Sequence, residues 1–447
     1  MRPKTFLQCL LGLLLFMPLN GWAQDVIRSS TYIIEKKNKV TIDGQFLSRG
    51  EYRYGGLPLD ENGEEKVDEK YAAFIMERSR LSVDYQRELL EAKVTAQHSG
   101  VWGQAGKGSF NLYEAWLQMR NRMGMFAKVG RQELVYDNER IIGNDDWTMA
   151  AQSHDVLKLG YENEQHKVHL ILGYNQNAEN VNGGTDYNNG AEPWKTMQTL
   201  WYHYDMPNTP LGVSLLAMNV GTQNLIAEND KTEYQQLVGT YMKYQPKDWK
   251  VEGSFYYQMG RNEWHLPINA WMGAVRGEHS FNPQLSLFGG YDYLSGDEHI
   301  HVPQIGGFGL QQYKKVNGFN LLFGSHHQFY GAMDFFYLSA FYGGFSPGLQ
   351  NLYAGANWTP NEKFKLSTAY HYFATSDKVA DSSWTLGHEL ELTASYTIMP
   401  EVKLSLGYSF MAGTKTMERL KRSKENGKLH WLYLTLNATP QFLNMKW

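Results

Sequence analysis

Three stretches of this chain alternate apolar and polar residues over about ten positions each. In VKLSLGYSFMA, Val402, Leu404, Leu406, Tyr408, Phe410 and Ala412 share one face, against Lys403, Ser405, Gly407 and Ser409 on the other. ELELTASYTIM sets Leu390, Leu392, Ala394, Tyr396 and Ile398 against Glu391, Thr393, Ser395 and Thr397. In VTIDGQFLSRGEYRY, Val40, Ile42, Gly44, Phe46, Tyr52 and Tyr54 oppose Thr41, Asp43, Gln45, Arg49, Glu51 and Arg53. A sustained period of 2 is a strand with one apolar and one polar face. Several of these apolar faces end on tyrosine. With 29 Tyr, 21 Phe and 13 Trp in the chain, that fits aromatic girdles at a membrane interface better than a water-soluble sandwich. Beyond the N-terminal leader no segment approaches the ~20 apolar residues of a spanning helix.

The turn rhythm turns strands into an architecture. Tight turns fall near Tyr85–Glu88, Asn121–Gly124, Glu162–His166, Met206–Pro210, Gln245–Asp248, Phe281–Pro283, Thr359–Glu362 and Met399–Glu401. Between them lie longer polar connections near 55–71, 99–107, 131–153, 176–195, 222–231, 260–266, 294–315, 375–387 and 412–427. One further turn is expected near 322 but has no clear signal. Short and long connections therefore alternate, as the periplasmic turns and outer loops of outer-membrane barrels do. The expectation is all-β: an antiparallel up-and-down transmembrane barrel of about 18 strands, within a range of 16 to 20. The stretch 303–347 alternates poorly, and part of it is expected to fold inward. Pro440 is expected to break the last strand early and leave an irregular tail.

The chain opens MRPKTFLQCLLGLLLFMPLNGWAQ: a basic start at Arg2 and Lys4, an apolar run Phe6–Leu19, and a Gly21-Trp22-Ala23 cleavage pattern. Residues 1–23 read as a cleaved signal peptide and 24–447 as one barrel domain, placed in the outer membrane of a Gram-negative bacterium. The one cysteine, Cys9, lies inside the apolar run, so no disulfide is expected. The formal charge of −4 argues against a nucleic-acid partner.

If the apolar faces meet lipid, the polar faces line the lumen. They carry Arg49, Arg53, Arg78, Arg80, Arg120, Lys128, Lys158 and Arg276, together with Asp43, Glu51, Asp84, Glu114, Glu252 and Glu391. Arg49/Arg53 and Arg78/Arg80 lie on neighbouring strands, so four guanidinium groups are expected to cluster. Two readings stand: a positive constriction for an anion, or a structural ladder neutralised across strands by Asp43, Glu51 and Glu114. Enzyme chemistry finds little support. His154-Asp155 and His326-His327 are adjacent in sequence and on a strand would point to opposite faces, and GxSxG, HExxH and P-loop patterns do not occur. No cofactor or metal is expected. The functional expectation is a channel passing a polar or anionic solute, small or polymeric, with outer-membrane lipid and possible periplasmic export partners around it. An outer-membrane hydrolase and an adhesion barrel with a plugged lumen are the alternatives.

The passage VGRQELVYDNERIIGNDDWTMAAQSHDVLKLGYE resembles the signature of the alginate export family of outer-membrane barrels. The resembling positions are Gly130-Arg131-Gln132, Tyr136, Arg140-Ile141-Ile142-Gly143, Trp147 and Asp155. MERSRLSVDYQ, QHSGVWGQAG, FGSHHQFYGAMDFFY (Phe323–Tyr337) and GLQNLYAGANWTPN extend the resemblance over most of the chain. It implies an 18-stranded barrel with an electropositive, loop-gated lumen. It also implies that Arg131 and Arg140 contact the lumen, with Asp155 as a partner. Gln152-Ser153 and Asp137-Asn138 depart from the family pattern and make the passage less positive.

Overall fold

The computed structural model describes residues 38–54, 71–297, 314–336, 346–421 and 428–447, apart from positions 105, 180, 183, 188, 189, 191, 227–230 and 381. The expected leader, 1–23, lies outside the described residues. Strands β1 (Lys39–Tyr54), β2 (Tyr71–Arg87), β3 (Leu90–Val101), β4 (Ser109–Arg120), β5 (Met125–Gln132), β6 (His154–Glu162) and β7 (His166–Tyr174) lead into β8 (Thr196–Asp205), β9 (Leu211–Gln223), β10 (Thr232–Tyr244), β11 (Trp249–Arg261), β12 (Pro267–Asn282) and β13 (Leu285–Leu294). After a long connection come β14 (Leu349–Asn361), β15 (Phe364–Ala374), β16 (Thr385–Met399), β17 (Val402–Gly413), a short helix α1 (Lys415–Lys421), β18 (Lys428–Ala438) and β19 (Gln441–Lys446). From β1 to β18 each strand pairs antiparallel with the next, and β1 closes the sheet against β18 and β19.

Closure explains how nineteen strands make an eighteen-strand wall. β1 pairs Phe46–Tyr54 with β18 and Lys39–Asp43 with β19. Pro440 has no N–H to give the ladder, and Gly44 N–H donates to its carbonyl across the break at 2.8 Å. The expected irregular tail is therefore corrected: the chain resumes as β19 and finishes the seam.

All eight expected tight turns connect the strands foreseen for them. Asn121, Asn163, Asn282 and Asn361 each turn a side-chain oxygen back to accept two backbone N–H groups of their own turn. This Asx geometry makes asparagine a turn former. No turn between wall strands lies near 322: among the described residues between β13 and β14, none belongs to a strand.

Outward positions such as Phe46, Val83, Val129, Leu215, Leu352 and Leu434 are exposed around the whole wall. A continuous belt of this kind is a lipid face, since in water it would drive association. Inside, the lumen is not uniformly polar as expected. On the long-loop side Ile171, Met197, Ala270, Met272, Leu349 and Met411 are completely buried. They belong to a core shared with Ile141, Ile142, Phe319, Leu321 and Phe323 of the long connections. Burying each large side chain contributes roughly 1.5–3 kcal/mol, so this core fixes the connections inside the barrel. Elsewhere aromatic rings lie flat on the wall over glycines: a Cβ at Gly407 would strike Tyr433, and one at Gly160 would strike Phe126.

Candidate functional site: a two-loop partition in the lumen

The segment 133–153, between β5 and β6, crosses the barrel interior. Its backbone carbonyls have no strand ladder to join, and buried carbonyls need donors. The wall arginines supply them. Arg78, with no exposed surface, donates from Nη1 to the carbonyls of Asp146 (3.1 Å) and Thr148 (2.9 Å). Arg49 Nη1 donates to the carbonyl between them, that of Trp147, at 3.0 Å. The Asp146 carboxylate bridges Arg78 Nη2 (3.1 Å) and Arg80 Nη1 (2.7 Å). The Trp147 ring lies between the Arg49 guanidinium, 4.0 Å from its centroid, and the stacked ring of His327 at 3.9 Å. Trp431 and Tyr433 close its edges. Four loop residues hold left-handed backbone without being glycine: Asp137, Glu139, Asp145 and Ala151. Such conformations persist only where the surroundings over-determine them.

At the far wall the same segment is bolted by Arg140. Its Nη2 pairs with Asp292 Oδ1 of β13 at 3.1 Å, and its Nη1 donates to the Tyr330 hydroxyl at 2.7 Å. Phe329 stacks 4.1 Å beneath the guanidinium. Asn351 Nδ2 donates to the other oxygen of Asp292 at 2.9 Å. The connection 295–348 completes the partition. Ile142 and Phe323 form a parallel bridge, and Ser325 donates to Glu139 Oε2 at 2.6 Å. Glu389 and Glu391 of β16 accept the N–H groups of Met333 (3.0 Å) and Ala332 (2.7 Å). Asp297 accepts three N–H groups, from Asn317, Gly318 and Ser346. In the 133–153 loop, burial and the neighbouring Asp334 push the Asp145 carboxyl up to about 6, against the favourable pull of His327.

Below the partition lies a vestibule of ≈ 1010 Å³. It runs from Arg140 and Tyr330 down to the short turns at Thr209–Pro210 and Lys247. Lys167, Lys243, Lys250 and Arg276 line it beside Asp205, Glu252 and Glu391, with Trp201, Tyr241 and Tyr353 among its aromatic surface.

The expected lumen residues divide in two. Arg49, Arg53, Arg78, Arg80, Arg120, Lys128, Lys158 and Arg276 share the inward face, by their register with one another and with inward neighbours. The four clustered arginines line one wall as foreseen. Of their counter-charges Glu51 was foreseen, though across strands, and Asp146 was not. Glu51, on the arginines' own strand, pairs with Arg49 (2.9 Å) and Arg53 (3.0 Å), while loop residue Asp146 holds Arg78 and Arg80. Glu114 pairs with Lys93 at 2.6 Å, Glu252 with Lys250 at 2.7 Å, and Arg276 with Glu278 at 3.2 Å. Asp43 accepts from Gln441, and Asp84 sits opposite Lys93 across the β2–β3 ladder. Arg140 reaches the lumen from the loop, not from a wall strand.

Arg131 and Asp155 are corrected. They form a two-pronged pair at 2.9 and 2.6 Å. However, Arg131 has the same parity as Val129, which is 53% exposed on the lipid side, and pairs directly with Asp155. Both point out of the barrel near the long-loop rim. His326-His327 is not on a strand either; it lies in a single 3-10 turn, from which His327 reaches Trp147 and Asp334. His154 faces inward, against Glu192 and Phe323. Sequence reasoning missed Asp292, Asp297 and Glu389. Each sits on or beside a wall strand whose neighbours give no hint of a loop partner.

A search of curated proteins finds no significant match. Among solved structures the chain is similar to OccK9 of Pseudomonas aeruginosa, with a TM-score of 0.60 at 11% identity over 90% of this chain and 98% of that one. It is similar to a BenF-like porin from Pseudomonas fluorescens Pf-5, with a TM-score of 0.60 at 11% identity over 90% and 99%. OccK2 of Pseudomonas aeruginosa, solved in complex with glucuronate, gives 0.58 at 12% identity over 90% and 98%. These likenesses speak to the barrel alone. The alginate export family model matches residues 94–426, which takes in the 133–153 loop, the Arg140 bolt and the inward connection. An eighteen-strand porin-like barrel partitioned by its own loops, with that match over most of its length, belongs to the alginate export family.

Proposed function

We propose that this protein is a passive channel of the Gram-negative outer membrane for an anionic polar solute of the uronate or polysaccharide class. In this reading the 133–153 and 314–336 segments act as its gate. The observation that carries the reading is the vestibule, a solute-sized space inside the barrel that runs from the short-turn rim to the partition, where Lys243 and Lys247 make no ion pair among the described residues while Lys167, Lys250 and Arg276 are paired with Asp205, Glu252 and Glu278. Charges on a pore wall select by their field. Among the inward cations of β1–β6, Lys128 and Lys158 make no ion pair among the described residues and extend the same field past the partition. The glucuronate complex of OccK2 supports a uronate as the solute unit. Orientation follows the usual arrangement, with the short turns in the periplasm, where export partners would meet the mouth.

A liposome-swelling series tests the solute class. Proteoliposomes should swell at least several-fold faster in glucuronate than in an uncharged sugar of equal size. Equal rates for both would remove the anionic preference. No swelling in either would remove passive diffusion.

A further inference from the structure

We infer that Lys128 and Lys158 form a docking station for a doubly charged oxyanion group, of the phosphate monoester or sulfate type. The inference rests on the reading of the lumen as an anion path and names one stop on it. The two lysines are directly opposite each other on β5 and β6, both inward. Like charges in that position repel across the ladder, and an anion seated between them would relieve the repulsion. None of the near carboxylates bonds directly to either ammonium, although Glu114, Glu133 and Glu162 act on the pair from a distance. Glu114 spends one oxygen on Lys93 (2.6 Å) and the other on Trp116 Nε1 (3.0 Å). Glu133 accepts from the Tyr113 hydroxyl at 2.6 Å, and Glu162 is held by His169 at 2.9 Å. Beyond Lys128 the wall presents Gln118, whose amide is turned to Glu91, and beyond Lys158 it presents apolar Ile171. Among the described residues neither lysine makes an ion pair.

The pair is also held in place. The Lys128 ammonium sits 3.6 Å from the Trp116 ring centroid, and Lys158 is 5.8 Å from that of Phe126. The aromatic faces orient the ammonium groups without neutralising them. An arginine fork suits carboxylate and phosphate alike, and lysine binds phosphate as a point charge; what points to the ligand here is the number of ammonium groups left without an ion pair. In this lumen Arg49, Arg53, Arg78, Arg80, Arg140 and Arg276 already have carboxylate partners. Two uncommitted ammonium groups side by side match a group that carries about two negative charges at neutral pH.

Titration calorimetry on the detergent-solubilised full chain, at fixed ionic strength and pH 7, tests the station with inorganic phosphate, sulfate and acetate as probes. Phosphate and sulfate should bind at least ten-fold more tightly than acetate. Lys128→Gln and Lys158→Gln should each weaken phosphate binding about ten-fold or more. Lys158→Arg should retain most of it, and Lys363→Gln, in the exposed turn between β14 and β15, should leave it unchanged. Acetate binding as tightly as phosphate would overturn the inference, as would an equal loss in Lys363→Gln. The channel reading fails separately. Phosphate binding without liposome swelling would remove the channel and keep the station, and swelling without phosphate binding would do the reverse.

Discussion

Arg140→Ala is expected to open the lumen. The substitution leaves Asp292 fully buried with Asn351 as its remaining side-chain partner. Removing one member of a buried ion pair costs about 3–5 kcal/mol. It also takes away the donor to Tyr330 and the cation above Phe329. The wall around Asp292 cannot yield easily, because β13 is laddered to β12 and β14 along its length. The 133–153 loop can, since side chains hold it in place and four of its residues sit in left-handed backbone. A loss of 3–5 kcal/mol shifts the docked-to-undocked ratio by roughly two to three orders of magnitude. Single-channel recordings should show a larger and noisier conductance than the parent chain. Limited proteolysis of intact cells should cut between 133 and 153. Arg140→Lys keeps the charge without the fork and should fall between the two. Unchanged conductance and protease resistance in Arg140→Ala would mean that the apolar core alone seats the loops.

The second large effect concerns the outer face. Leu434 is 48% exposed on the outward side of β18, in register with Gly50 of β1 and Leu406 of β17. An arginine there would meet hydrocarbon, at a cost of about 2–4 kcal/mol near the bilayer midplane. Leu434→Arg should lower the unfolding midpoint in lipid vesicles markedly and reduce the folded fraction recovered from membranes. Ser405→Arg is the control. It lies on the neighbouring strand with opposite parity, facing Thr435 and Ser395 inside the barrel. Its expected effect on stability is small by comparison. Equal losses from both would mean that the apolar belt does not face lipid.

These expectations also mark what could be read from the chain before its fold was known. The turns were legible because their cause is local: an asparagine side chain closes each of four turns within four residues of itself. The wall was legible because parity repeats every two residues. Parity also held a warning that was not used. Lys128 and Arg131 are three apart on one strand, as are Asp155 and Lys158, so neither pair can share a face. Counting from the lysines would have put Arg131 and Asp155 outside. The partition was not legible, because its bonds join residues far apart in the chain: Arg78 to Asp146, Arg140 to Asp292, Ser325 to Glu139. Nothing local distinguishes Asp146, which bridges two arginines, from a solvated loop carboxylate. The apolar residues on the inner wall were equally obscure, since alternation tells two faces apart but not what lies against the inner one.

The lumen is expected to favour anions, with the two loops limiting the flow through it. The reversal potential in planar bilayers under a potassium chloride gradient, for the parent chain and for Arg140→Ala, measures both. The expected result is a potential on the chloride side of zero in both, with the larger conductance in Arg140→Ala. A potential on the potassium side, or no conductance even when Arg140 is removed, would contradict it.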